Sequence, residues 1–228
     1  VNADPKEIVW TSGATESDNL ALKGAASFHQ KRGRHLVTVE TEHKAILDTC
    51  KALERKGLAT VTYLPVDKFG LIDLDDLRNA ITDKTILITI MHANNEIGTI
   101  QPMHEIGRIA KERSILFHSD ATQGAGKLPV DVEAMGIDLL SLSAHKLYGP
   151  KGVGALFVRP GTKLLPIITG GGQEHGLRSG THNVPGIVGL AEAARLLEQT
   201  READMAHYAE LASRFLDGLA ARLPGAHH

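Results

Sequence analysis

The chain carries a single cysteine, Cys50, in 228 residues. An internal disulfide is therefore impossible, and with no sign of an oxidising compartment the expected location is cytoplasmic. Aromatic residues are scarce, at 4%, and neither sign of charge dominates: 25 Lys plus Arg against 27 Asp plus Glu leave a formal net charge of -2. That excludes a basic groove laced with aromatics, so no nucleic acid partner is expected. Long apolar runs are also missing. None approaches the roughly 18 residues that a membrane span needs, so no membrane partner is expected either. The N-terminal VNADPKEIVW has no initiator Met and no charged-then-apolar leader pattern. Together with the abrupt LPGAHH at the other end, it reads as a segment of something longer. No G-x-G-x-x-G follows the first apolar run, which argues against a nicotinamide-binding Rossmann domain.

What remains, 42% hydrophobic and 23% charged residues, is the profile of an α/β protein with one sizeable core, suited to small-molecule chemistry. Short β-branched runs alternate with longer amphipathic stretches: EIVWTS, ESDNLALKGAASFHQKRG, HLVTVE, HKAILDTCKALERKG and ATVTYLP. LDDLRNAI, TILITIM, PMHEIGRIAKERS and ILFHSDA continue the pattern, and DLLSLSA and GALFVR add two further strands. Regular alternation of this kind predicts a three-layer α/β/α fold with a mostly parallel sheet, whose ligands collect at the carboxyl ends of the strands. From Val184 the sequence is helical in period, as one long helix or two consecutive ones.

The residues at those strand ends carry the chemistry. Gly13-Ala14-Thr15 leads into a helix, as a plain N-cap or as an anion site built from free N–H groups and a hydroxyl. His43 opens the next helix, as a cap or as a catalytic group. Cys50 lies seven positions further on, without companions at zinc-like spacing, so no metal is expected. HANNEIGT places two amides, Asn94 and Asn95, and the carboxylate of Glu96 where a buried strand ends, and polar groups there need partners in loop backbone, water or a ligand. Asp120, followed by Thr122 and Gln123, closes another and needs a proton donor or cation opposite it. SLSAHKLYGP sets Ser143, His145 and Lys146 at the mouth of a third. A lysine there either snorkels to solvent or is desolvated into an amine nucleophile. One cofactor, pyridoxal 5'-phosphate, accounts for the whole set. It needs a lysine for its imine (Lys146), an acid for its ring nitrogen (Asp120), a phosphate cradle (Thr15, Ser143, His145) and a flat group against the ring (His43).

The segments TSGATESDNLALKG, TEHKAILDTC, MHANNEIGTIQP, HSDATQGAGKLPVDV, LSLSAHKLYGPKGVGAL and GGGQEHGLRSGTHNV together resemble the cysteine desulfurases of the iron–sulfur cluster assembly type. These lie within the class-V aminotransferase-like, fold-type I pyridoxal phosphate enzymes. The resemblance runs from about Val1 to the helix starting at Val184. It implies a pyridoxal phosphate-binding large domain over 1–183 with its N-terminal segment missing, then a helical connector over 184–228 toward an absent small domain. It also implies a homodimer that converts L-cysteine to L-alanine and passes the sulfur, as a protein persulfide, toward an iron–sulfur scaffold or another acceptor protein. Carried over by position, Lys146 holds the cofactor covalently and Asp120 pairs with the ring nitrogen. His43 stacks on the ring and moves protons, while Asn95 and Gln123 hydrogen-bond around the phenolic oxygen and the substrate. Ala14, Thr15, Ser143 and His145 bind the phosphate, and Thr181 reaches the phosphate of the neighbouring subunit.

The pattern has departures. Cys50 is not the persulfide cysteine of the family, and neither that cysteine's loop nor the arginine that grips the substrate carboxylate is present. His175 stands where an arginine is usual. A selenocysteine lyase or another class-V aminotransferase would share the same cofactor residues. A non-catalytic cofactor-binding or dimerisation module is the alternative outside enzymes.

Overall fold

The computed structural model describes residues 1–223; the end of the expected connector, 224–228, lies outside the described residues. Seven strands form one sheet: β1 (Ile8–Thr11), β2 (His35–Val39), β3 (Thr60–Leu64), β4 (Thr85–Thr89), β5 (Leu116–Asp120), β6 (Leu139–Ser143) and β7 (Gly154–Val158). Their order is β1-β7-β6-β5-β4-β2-β3. Every residue of β2, β4 and β6 is buried, as expected for parallel strands covered on both faces. The helices between them are α1 (Ala14–His29), α2 (Lys44–Arg55), α3 (Leu74–Ala80) and α4 (Met103–Glu112).

The period-two alternation sorts side chains between the two faces. Leu36, Leu139 and Leu156 pack with Leu20 and Leu22 of α1 and Ile46 and Leu53 of α2. Their neighbours Val37, Leu140 and Phe157 pack with Leu77 of α3 and Ile106 and Ile109 of α4. The result is the expected three layers. One refinement concerns β1 and β7: β7 is antiparallel to both β6 and β1, so the first strand sits at the sheet edge, away from β2. Two reversals restore the direction of β1, and the carboxyl ends of β1, β2, β3, β4, β5 and β6 share one edge.

The helical C-terminal stretch is a single helix, α5 (Val184–Arg222), of 39 residues and about 58 Å at 1.5 Å per residue. Only Gly186, Leu190 and Leu197 of it are buried. Its first turns press on the loop after β6, where a Cβ on Gly189 would lie 2.8 Å from Pro150. None of the described helices is long and apolar enough to cross a membrane.

Helix α4 approaches the 131–137 turn so closely that a Cβ on Gly107 would lie 1.9 Å from the Met135 carbonyl oxygen. Backbone cannot yield there as a flexible side chain would. Gly107→Ala is therefore expected to lower unfolding stability by about 1–3 kcal/mol, the usual cost of overpacking, despite alanine's better helix propensity. Urea denaturation checks this, and a stabilised variant would contradict it.

Candidate active site

The shared strand edge opens into a cavity of about 560 Å³. Its first wall is the start of α1. Thr11 ends β1, and Gly13 turns the chain with φ 154° and ψ 176°, a conformation open to glycine alone. Glu16 and Ser17 donate their N–H groups back to the Gly13 carbonyl, while those of Ala14 and Thr15 have no acceptor among the described residues. A Cβ on Gly13 would lie 3.9 Å from Ser143 Oγ, which places the end of β6 beside these free donors. Ser143 Oγ pairs with His145 Nδ1 at 2.8 Å. Free N–H groups at the positive end of a 16-residue helix, together with a hydroxyl and an imidazole, make an anion cradle.

A carboxylate in that first turn would repel an anion. Glu16 is neutralised by Arg178, whose Nε donates to Oε1 at 2.7 Å. Burial pushes the Glu16 carboxyl up, yet hydrogen bonds from Arg178 and Ser12 hold it below its ordinary value. The same ion pair ties the 170–183 loop to α1.

The opposite wall comes from the ends of β2 and β4. His43 caps α2, its Nδ1 accepting from the Ala45 N–H at 3.1 Å. The capping reading holds, and the same residue lines the cavity, with Nδ1 occupied by the cap and Nε2 the ring nitrogen left to meet a ligand. The two amides after β4 divide the work. Asn94 builds the loop, donating to the Thr41 carbonyl and accepting from Glu96 and Ile97. Asn95 lines the cavity.

Asp120 ends β5 at 5% exposure; Oδ1 accepts from the Thr122 N–H at 2.9 Å. Thr122 Oγ1 is buried without a partner among the described residues, and Gln123 follows, its Oε1 accepting from Lys127 Nζ at 3.2 Å. Lys146 stands in a 3-10 turn (Ala144–Lys146), exposed and bordering the same cavity. The desolvation that the strand-mouth position suggested is thus not supplied by the protein alone. Tyr148, at φ 62°, then turns the chain into Gly149-Pro150.

The cavity therefore gathers Ala14, Thr15, His43, Asn95, Asp120, Gln123, Ser143, His145 and Lys146. Thr181 is not among them: it borders a separate cleft of about 80 Å³ with Ser12, Gly152 and Arg178.

The comparisons follow this geometry. The model of the family "Aminotransferase class-V" matches residues 1–226. The chain belongs to this family. Its likeness extends beyond Val184, further than the quoted motifs alone. The chain is 60% identical, over 96% of its length and 54% of the relative's, to a "Cysteine desulfurase IscS" of Neisseria meningitidis. It is 54% identical to the "Cysteine desulfurase, mitochondrial" of Candida albicans, over 96% of the chain and 45% of that relative. The chain thus spans about half the length of the curated relatives it matches. Among solved structures, a "NifS-like protein" matches with a TM-score of 0.93 at 46% identity, covering 96% of this chain and 60% of that one. "SspA in complex with cysteine" matches with 0.82 at 52% identity, covering 85% and 56%.

Class-V aminotransferases are pyridoxal phosphate enzymes, and the cavity fits that group. Unused N–H donors suit a phosphate, an exposed amine suits an aldehyde carbonyl, and a buried carboxylate suits a ring nitrogen. Several lining residues were not singled out from the sequence: Glu16, Asp18, Thr122 and Lys151. Asp18 did leave a signal, a carboxylate on the helix face that also buries Ala21 and Leu22. Glu42, buried one residue before His43 though not lining the cavity, left none, because its partner, the Met91 N–H, comes from the loop after β4, 49 residues on.

Proposed function

We propose that this chain is the cofactor-holding part of a cysteine desulfurase, which releases L-alanine from L-cysteine and passes the sulfur to a thiol. The observation that carries this reading is the meeting of Lys146, Asp120 and the anion cradle at one sheet edge, in a chain whose curated relatives are cysteine desulfurases. Pyridoxal phosphate, when bound, supplies an electron sink that makes an amino acid's α-proton removable.

The chain's own residues do the rest. Ala14 and Thr15 N–H groups, with Ser143 and His145, hold the phosphate; Asp120 keeps the proton on the ring nitrogen. His43 would face the ring and move protons through Nε2, and Asn95 and Gln123 would orient the cofactor's oxygen and the substrate. Lys146 would hold the cofactor through Nζ and serve as the base for the α-proton. Thr181, outside the cavity, serves the phosphate site of the partner subunit in a homodimer.

Cys50 is no sulfur acceptor. It is buried at 0% exposure, and burial above all pushes its thiol up to about 12, which disfavours a reactive thiolate. The accepting thiol comes from outside these 228 residues, and iron–sulfur scaffold or other acceptor proteins are the onward partners, in a cytoplasmic setting. Residues 1–183 form the cofactor domain and 184–228 its connector.

The test is visible absorption of the purified protein on adding pyridoxal phosphate and then L-cysteine. A yellow band that shifts with cysteine supports the reading. A band indifferent to cysteine but moved by selenocysteine or other amino acids points to a related class-V activity. No band at all makes the chain a non-catalytic module.

A further inference from the structure

Beneath the cavity lies a buried polar network on the α1 side of the sheet. His118 of β5 pairs through Nδ1 with Thr89 Oγ1 at 2.8 Å and through Nε2 with Ser141 Oγ at 2.9 Å. Asp18 descends from α1, its Oδ1 3.6 Å from His118 Nε2, and both side chains are fully buried. Neither Asp18 oxygen has a hydrogen-bond partner among the described residues, and Asp18 also lines the cavity. Its neighbours are His118 and Asp120 from β5, Ser141 from β6 and Glu42 from the turn before α2.

Asp18, Glu42 and Asp120 thus crowd one buried space, and His118 is the cationic type of group within ion-pair reach of Asp18. Neither Asp18 nor Glu42 has a lysine or arginine within ion-pair distance among the described residues, and buried carboxyls crowded in such a medium are favoured with their protons on. We propose that Asp18 is a neutral, proton-bearing acid and a positioning residue. Through His118 and Ser141 it steadies the strand ends that present Asp120 and Ser143 to the cofactor.

This role rests on the pyridoxal phosphate reading of the cavity; the charge state does not. Burial, then the charge of Asp120, pushes Asp18 well above the usual carboxylate range, and burial pushes His118 down to about 3. Both directions put the proton on the carboxyl and leave the imidazole neutral. A carboxyl raised in the folded state contributes stability below its unfolded pKa and loses it as pH rises through the folded value.

The test compares the parent with Asp18→Asn, which keeps the shape without a titrating proton, and Asp18→Ala, in cofactor-loaded and unloaded protein. Infrared spectra of the parent at neutral pH should show a protonated carboxyl band that Asp18→Asn lacks. The melting temperature of Asp18→Asn should fall less than the parent's as pH rises from about 6 to about 9. Asp18→Ala should weaken cofactor binding about tenfold, as loss of supporting contacts does around a bound group, and Asp18→Asn should recover most of that loss. An unchanged infrared band in Asp18→Asn, or a cofactor spectrum whose pH dependence moves by about a unit or more in that variant, overturns the neutral acid. If the band is present but no variant, parent included, binds cofactor, the positioning role falls together with the cofactor reading.

Discussion

Lys146→Ala is expected to abolish covalent retention of pyridoxal phosphate after borohydride reduction. It is also expected to slow exchange of the cysteine α-proton with solvent by about 10⁴-fold, the upper end for loss of a positioned general base. Proton exchange is the right readout because it needs no sulfur acceptor. The size of the effect follows from one amine serving twice, first as the covalent anchor and then as the base. A second amine keeps the prediction sharp: Lys151 lines the same cavity. Lys151→Ala should retain borohydride-fixed cofactor, and peptide mapping should find the label on Lys146. Label on Lys151, or label surviving in Lys146→Ala, would remove Lys146 from the role. Lys146→Arg, which keeps the charge without a usable nucleophile, should behave like the alanine variant.

Asp120→Asn comes second, with an expected loss of about 10²–10³ in the same exchange rate, the usual cost of removing one preorganised charge from a reacting centre. The amide preserves the side chain's shape and an oxygen that can accept from the Thr122 N–H, so folding and phosphate binding should survive. What it lacks is the negative charge that holds a proton on the ring nitrogen. Asp120→Glu, which keeps the charge on a longer arm, should recover part of the rate. An exchange rate within about twofold of the parent in Asp120→Asn would show that the carboxylate is structural. The two variants also differ in colour: Asp120→Asn should still bind cofactor as a yellow species through Lys146, whereas Lys146→Ala should not.

Much of this site is legible in the sequence because it is built from strand ends. A largely apolar stretch gives way to a polar cluster and a turn, so Asp120 and Ser143 announce themselves as the last residues of buried strands. The alternation of strands with amphipathic helices then implies that these ends share one edge, as they do. Tyr148-Gly149-Pro150, which turns the chain away after Lys146, is equally local.

Other features depend on partners remote in sequence. Arg178 meets Glu16 across 162 residues, and Glu42 meets the Met91 N–H across 49. Asp18 and His118 are adjacent only because α1 lies over β5 and β6. No local pattern encodes such pairs, since each half alone reads as an ordinary surface charge or buried polar group.

The same division separates what the sequence by itself determined from what the tertiary structure decided. Hydrophobic period, turn residues and strand-end polarity determined the α/β/α layers and the shared edge, because these follow from local spacing, while the family resemblance completed the set of nine candidate residues that line the cavity. The fold decided the reversal of β7 that carries β1 to the sheet edge, the placing of Thr181 outside the cavity, and the single helix after Val184. It alone set the charge pattern under the cofactor, because ionisation of a buried group depends on dielectric and on neighbours brought together from four separate elements.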